Sequence, residues 1–592
     1  MGNEEVSEKK NAFTYLFGRM WKFSEGNRKK VVLYLVLSVM SELVNTFWSP
    51  LVMAAIMNIL VTEGANLEKI IPIMLLLPLG SFLSWSFHGP SRYLEEVNAF
   101  LARANYRKYQ LQGVMDMPLK WHNEHHTGDT VDKLEKGASS IYEFSSESFQ
   151  FVKPLVKLIG CFAAVTYFSN VSAFIVVAIM IIGILVTVKI DNFCGSIIRY
   201  ISKQENILSE SVHDTINNIS TIITLRVEHL AFKSIVQKIM IPFDQFKKMI
   251  MLNEGKWFVT SMCCSFMTIA VYYVYFLQHP GGKEAVNIGS FYLVVNYLNK
   301  VSELFNQFTG LYGWTIRRKY RLQNGEKLSR DFISRSFADH HLPGNWEKIQ
   351  VSNLWFTHGS SDDDNPHLDD VSFDIYRGET IATVGPSGSG KSTLLMVTRD
   401  MYHPQTVEVL VDGMRAPLGF KSISKAISFV QQEPQILEQS IKDNITFGEE
   451  YSDELIRLYS DVACFSEVVD SLPKGYDSMI KEKGVNLSGG QVQRLALTRG
   501  LLASHDKDIV LLDEPTSSLD SVTAMKVFKN IIEQFKGKTV ISSVHTLQML
   551  PLFDRVFMFD KGKLVGAGTI PELLKTCPEF VKLWEEQFAE CA

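Results

Sequence analysis

Gly385-Pro386-Ser387-Gly388-Ser389-Gly390-Lys391-Ser392 follows the apolar run Thr380 to Val384 and precedes the helix-like Thr393-Leu394-Leu395-Met396. An apolar strand, a glycine-rich loop and a helix start, in that order, match the phosphate cradle G-x-x-x-x-G-K-[ST]. The glycines let the backbone curl so that successive N–H groups, from Gly385 through Thr393, point inward. The helix N-terminus adds partial positive charge where a triphosphate is most negative. Lys391 is placed to hold β- and γ-phosphate oxygens, and the Ser392 hydroxyl to ligate Mg²⁺. The stretch therefore predicts a nucleoside triphosphate as ligand.

The chain has 592 residues, too many for one core, so about two to four domains are expected. Its apolar residues, 46% against 21% charged, concentrate in the N-terminal half. A net charge of −5 gives no support for nucleic-acid binding. The seven cysteines show no C-x-x-C pair and no metal-ligand spacing, which suits buried thiols in a reducing compartment. Glu4, Glu5 and Glu8 and the lack of a short apolar core argue against a cleavable signal. Residues 1–30 read instead as an amphipathic helix on the membrane surface, with Phe13, Leu16, Phe17, Met20 and Trp21 on one face.

A span needs about 20 apolar residues. Six candidates appear: Val31 to Val61, Ile70 to Phe87, Phe151 to Phe168, Val171 to Val188, Trp257 to Leu277, and Ile288 to Tyr312. The third and fourth together are too long for one crossing, so Ser169-Asn170 must be a tight hairpin. Lys and Arg crowd the first thirty residues and the two long connections, whereas the short connections hold only Lys69 and Lys283. The long connections, and everything beyond the sixth span, are therefore expected in the cytoplasm. Each connection is helical in character and reads as a hairpin reaching some 45 Å past the bilayer at about 1.5 Å per residue. The turns are expected near Trp121 to Gly128 and Ile219 to Leu225. Glu42 and Lys157 are costly in lipid, so they are expected either to pair or to face a water-filled cavity. Asn296, Asn299, Lys300, Glu303, Asn306 and Gln307 make a polar stripe suited to lining a pathway.

After a charged linker, 317–344, the segment 345–592 reads as a soluble domain. Ile349 to Phe356, Val371 to Ile375 and Thr380 to Val384 are short strands with polar turns between them, including Asp362-Asp363-Asp364. Asp508-Ile509-Val510-Leu511-Leu512-Asp513-Glu514 is a buried parallel strand ending in two acids at the edge of the sheet where ligands bind. There Asp513 would hold Mg²⁺ and Glu514 would polarise an attacking water. Leu487-Ser488-Gly489-Gly490-Gln491 precedes a helix and forms a second exposed-amide anion site.

The cradle, the LSGGQ sequence, the ILLD-type strand with Glu514 and the preceding membrane block resemble, over essentially the whole chain, a half-size exporter-type ATP-binding cassette (ABC) transporter. That resemblance implies an α-helical membrane domain over 31–316, six spans with long cytoplasmic extensions, and an α/β P-loop ATPase with antiparallel β and helical subdomains. It implies that two ATPs with Mg²⁺ are sandwiched head to tail by two copies, or by this chain and a similar half-transporter. Ser488, Gly489, Gly490 and Gln491 then reach the γ-phosphate held by the partner. Gln432 resembles the glutamine that touches Mg²⁺ and the attacking water, Asp520 belongs to the Ser517-Ser518-Leu519-Asp520 loop, and His545 resembles the switch histidine at the γ-phosphate.

Three departures stand out. His358 occupies the place of the aromatic that stacks on adenine, Gln431 replaces the common proline before Gln432, and Thr546 follows His545 where arginine is usual. The implied activity is ATP hydrolysis that drives export across a membrane by alternating access, in a bacterial plasma (inner) membrane with the ATPase domain cytoplasmic. The competing readings are an importer on the same fold and an ATP-gated channel or regulator.

Overall fold

The hydrophobic periodicity of the N-terminal half resolves into long helices and that of the C-terminal half into two sheets with flanking helices. The computed structural model describes residues 11–278, 288–332, 342–358, 366–433, 435–480 and 487–589. The connection 279–287, the acidic turn Asp362-Asp363-Asp364 and Pro434 lie outside the described residues. The chain divides into two compact units, 1–117 with 121–335, and 118–120 with 336–592.

In the first unit α1 (Ala12–Phe23) is capped by Asn11. The helices that follow are α2 (Arg28–Glu63), α3 (Leu67–Met74), α4 (Leu76–Met115), α5 (Leu119–Glu124), α6 (Thr127–Ser146), α7 (Phe149–Phe168), α8 (Asn170–Asn217), α9 (Ile219–Thr224), α10 (Glu228–Met240), α11 (Phe243–Gln278) and α12 (Ile288–Glu326). Among the described residues five helical stretches, Arg28–Glu63, Leu67–Met115, Thr127–Phe168, Asn170–Asn217 and Glu228–Gln278, are long and apolar enough to cross a bilayer. α12, with 39 residues, has the length but not the composition, because its polar stripe interrupts it. The tight hairpin is a single residue, Ser169, whose hydroxyl accepts from the Ser172 N–H at 3.2 Å. The six-residue helices α5 and α9 fall where the two long hairpins were expected to turn. At about 1.5 Å per residue α4 is about 60 Å long, twice a hydrocarbon core, so a single helix runs from the span into the hairpin.

Three expectations change. α1 buries Tyr15, Leu16, Met20 and Phe23 against Tyr34, Tyr106, Ile141 and Leu322, while Phe13 stays 37% exposed. Its inner face is therefore rotated from the one read in the sequence and packs on protein. Tyr15 Oη and Arg19 Nε bind the two Glu326 carboxylate oxygens at 2.5 and 2.9 Å. Lys157 pairs with Glu303 at 2.6 Å rather than with Glu42, which instead is buried and accepts from Thr46 Oγ1 at 3.4 Å. The segment read as a linker from residue 317 begins inside α12, which continues to Glu326 because Arg318 is buried there against Glu143 at 3.2 Å and Glu147 at 2.6 Å.

In the second unit one antiparallel sheet has the order β2-β1-β4-β5, with β1 (Lys348–Phe356), β2 (Leu368–Tyr376), β4 (Thr406–Val411) and β5 (Met414–Arg415). The other has the order β10-β9-β3-β8-β7-β6, with β3 (Thr380–Val384), β6 (Ile427–Val430), β7 (Ile509–Leu512), β8 (Thr539–Ser543), β9 (Arg555–Asp560) and β10 (Lys563–Gly568). β9, β3, β8, β7 and β6 run parallel, and β10 closes the edge antiparallel. Trp346, Ile349, Ile381, Leu394 and Phe557 share the core between the two sheets. α13 (Lys391–Thr398) follows β3. The helical layer contains α14 (Ile441–Thr446), α15 (Asp453–Val462), α16 (Ser466–Asp470) and α17 (Gly489–Leu502), packed through Ile441, Ile456, Phe465 and Leu495 onto β6 and β7. α18 (Ser521–Gln534) lies after β7.

The joint between α6 and α7 depends on Glu95 of α4, which is fully buried. Its carboxylate accepts from Ser148 Oγ at 2.7 Å, the Phe149 N–H at 2.8 Å and Arg92 Nη1 at 2.5 Å. Removing a buried carboxylate that accepts from three donors is expected to cost about 2–4 kcal/mol. Glu95→Ala should therefore lower the thermal unfolding midpoint of the detergent-solubilised protein. Glu96→Ala, at the exposed partner of Arg92, should change it little. Equal effects of the two changes would remove Glu95 from this structural role.

Candidate functional site

β3 ends at Val384, and the chain must turn sharply to start α13 seven residues later. Gly385 makes the first bend with φ +147°, where a Cβ would stand 2.1 Å from the Phe559 carbonyl oxygen. Gly390 makes the last with φ +106°, where a Cβ would meet the His367 carbonyl oxygen at 2.8 Å. No other residue fits either position. Lys391 is buried, and its ammonium donates to the carbonyls of Gly385 at 2.8 Å and Pro386 at 3.0 Å. Burial pulls its pKa below the ordinary lysine value, while Glu514 and Asp513 pull the other way. Its charge is thus held at the mouth of the cradle by the loop itself.

Ser392 Oγ donates to Asp513 Oδ1 at 2.9 Å, and Ser543 Oγ donates to the same oxygen at 2.8 Å. Burial raises the Asp513 pKa, and the two hydroxyls oppose that rise. Ser543 also accepts the Glu514 N–H at 2.7 Å. That bond holds Glu514 at φ +45°, a left-handed backbone region uncommon for residues other than glycine. The Glu514 carboxylate is held on both sides, Oε2 by Gln432 Nε2 at 2.5 Å and Oε1 by His545 Nε2. A cavity of about 310 Å³ opens beside them, lined also by Thr516, Ser517 and Ser543. Lys391, Ser392, Gln432, Asp513, Glu514 and His545 thus form one continuous cluster.

The oxygen donors suit magnesium. Ser392 Oγ and Asp513 Oδ1 are adjacent, and Gln432, donating through its nitrogen, leaves its amide oxygen for a ligand. Among the described residues no group of three His, Cys, Asp or Glu side chains is placed to hold a metal ion, so such an ion would need phosphate and water to complete its shell.

The LSGGQ stretch, expected from the sequence to bind an anion, is a capped helix start. Ser488 Oγ accepts from the Gln491 N–H at 3.3 Å, and Gln491 Oε1 accepts from the Ser488 N–H at 2.9 Å, a reciprocal capping box. Gly489 and Gly490 open α17, and a Cβ on Gly490 would come within 3.2 Å of the Ser518 carbonyl oxygen. Among the described residues no hydrogen bond or ion pair joins Ser488, Gly489, Gly490 or Gln491 to Lys391 or Ser392. Asp520 caps α18, accepting from the Thr523 N–H at 3.0 Å, and this bond lowers its pKa.

Two participants were not read from the sequence. Gln493 donates to Ser517 Oγ at 3.0 Å and accepts from the Ser518 N–H at 2.8 Å, tying α17 to the loop that follows Glu514. Ser543, the last residue of β8, unites both acids. Both sit in runs of ordinary composition, so only the pairing of distant segments exposes them. His358 stands edge-on to His367 at 4.7 Å and to Tyr402 at 4.9 Å, and burial with the neighbouring His367 lowers its pKa. Its ring is therefore a neutral aromatic surface at physiological pH.

Residues 368–517 match the family model "ABC transporter", and residues 31–302 match "ABC transporter transmembrane region". Heavy metal tolerance factor 1 of Caenorhabditis elegans is 27% identical over 80% of this chain and 59% of its own length. A putative ABC transporter ATP-binding protein, exp8, of Streptococcus pneumoniae is 32% identical over 54% of each. The ATP-dependent lipid A-core flippase of Burkholderia pseudomallei is 34% identical over 41% of each. The chain thus spans about half the length of the curated relatives it matches. A bacterial Atm1-family ABC exporter solved with ATP bound has the same fold, with TM-score 0.83 and 21% identity over 95% of this chain and 99% of that one. With one family model matching the multi-pass membrane region and another the ATP-binding domain that follows it, the chain belongs to the ABC transporters.

Proposed function

We propose that the chain hydrolyses ATP with Mg²⁺ to drive export by alternating access in a dimer, with 31–316 as the translocation domain and 345–592 as the ATPase. The observation that carries this reading is the Glu514 carboxylate, held between Gln432 and His545 next to a cradle that needs an attacking water. Glu514 acts as general base, and His545 and Gln432 fix its orientation. Mg²⁺ would neutralise charge on the β- and γ-phosphates from a place beside Ser392 and Asp513. Lys391 exchanges its loop carbonyls for phosphate oxygens, and His358 with Tyr402 receives adenine.

Dimerisation is supported by the arrangement of the two anion sites. Each chain contains one cradle and one LSGGQ helix start, with no bond between them among the described residues. A second copy, or a similar half-transporter, supplies the missing half of each site, and the helical hairpins carry closure to the spans. α12 completes six spans, its exposed residues Asn299, Glu303, Asn306 and Gln307 facing a water-filled pathway. The basic connections support a cytoplasmic ATPase, and the bacterial source of several relatives is compatible with an inner membrane. An importer on this fold would share each of these features, and uptake measured in sealed vesicles separates the two.

Glu514→Gln should abolish turnover while ATP-bound closed dimers accumulate, and hydrolysis at the native rate would remove the general base. Ser543→Ala removes one of the two hydroxyls that donate to Asp513 and leaves the Glu514 N–H without its acceptor, so ATPase activity should fall by about tenfold. An unchanged rate would make Ser543 a bystander. His358→Ala should weaken ATP binding several-fold in equilibrium titration, whereas unaltered affinity would place adenine elsewhere.

A further inference from the structure

At one end of the spans α8, α11 and α12 enclose a cavity of about 240 Å³ that the ATPase reading does not use. Lys256 and Asp191 line it and are 3% and 4% exposed. The Lys256 ammonium donates to Asp191 Oδ1 at 2.9 Å and to the Thr309 carbonyl at 3.1 Å. The other Asp191 oxygen, Oδ2, is buried with no hydrogen-bond donor. Arg317 lines the same cavity and forms no ion pair among the described residues. A buried carboxylate oxygen without a protein donor is costly, and a ligand N–H reaching it from the cavity would relieve that cost.

The space is built into the helix. Gly310 and Gly313 lie one turn apart in α12, although glycine is among the residues least suited to a helix interior. A Cβ at 313 would stand 3.4 Å from Asp191 Oδ1 and 3.5 Å from Lys256 Nζ, and one at 310 would be 3.8 Å from Trp257. No neighbouring backbone takes up the room these glycines leave; it opens in front of the ion pair.

The depth of the cavity points to its occupant. Asp191 lies three residues beyond the hydropathy limit of its span at Val188, Lys256 immediately before Trp257, and Arg317 five residues beyond Tyr312. All three stand at the level where hydrocarbon gives way to headgroups. Trp257 and Trp314, 37% and 49% exposed, border the cavity as aromatic side chains do at that level. Arg317 fits a phosphate, and Asp191 Oδ2 fits an ammonium N–H as a charge-assisted bond.

We propose that this cavity binds the headgroup of a phospholipid ending in a primary amine, phosphate on Arg317 and ammonium on Asp191. A quaternary headgroup has no N–H to offer and is rejected. The site rests on the membrane reading of the helices but not on ATP hydrolysis or on the direction of transport.

Native mass spectrometry of the full-length protein, released from detergent with added phosphatidylethanolamine or phosphatidylcholine of matched chains, tests this. The ethanolamine lipid should bind at least tenfold more tightly. Gly313→Val, which fills the space in front of Asp191, should erase the preference while ATP binding and the unfolding midpoint remain near native. Equal binding of the two lipids by the native protein would overturn the assignment, as would a preference that survives in Gly313→Val. Equal competition by soluble glycerophosphoethanolamine would overturn the lipid in favour of a free zwitterion.

Discussion

The parallel register of β3, β8 and β7 decides where each residue of the proposed ATPase site stands. Thr383 pairs with Ser543, and Leu512 with Ser542, so Gly385, Asp513, Glu514 and His545 leave the sheet along one edge. Each strand is buried on both faces, which leaves the edge as the place where polar chemistry can emerge. A slip of one residue would turn Ser543 away from Asp513 and break its bond to the Glu514 N–H. Those bonds in turn hold Glu514 in its unusual backbone conformation, so the geometry of the site follows from strand pairing.

Much of this edge was legible in the sequence because its signals are local. Glycines beside a lysine, an apolar run ending in two acids, and Ser-Gly-Gly before a helix each announce their conformation within ten residues. Gln493, Ser543 and the aromatic neighbours of His358 were not legible. Their partners lie 24 to 30 residues away for the first two, and His367 and Tyr402 reach His358 only through the packing of β1 on its neighbours.

The membrane unit divides along the same line. Apolar length located the helices and the places where the hairpins turn, since a helix carries its own hydrogen bonds and its composition reports its surroundings. Which charges pair is a matter of how helices rotate against one another, and helix periodicity does not contain that information. Glu42 and Lys157 looked suited by depth, yet Lys157 meets Glu303 of α12. The Asp191 to Lys256 pair joins residues 65 positions apart in sequence. For α1 the outcome turned on a rotation of about one residue position, enough to replace Phe13 by Tyr15 in the buried face.

The account stands or falls on whether ATP is held by two chains at once. Mixed dimers of Lys391→Ala and Ser488→Arg chains, both also carrying Glu514→Gln so that bound nucleotide persists, address this directly. In such a dimer one native cradle faces one native serine-glycine helix start, while each variant alone has neither site complete. The account expects one ATP trapped per mixed dimer and none in either parent; no trapping in the mixture would contradict it.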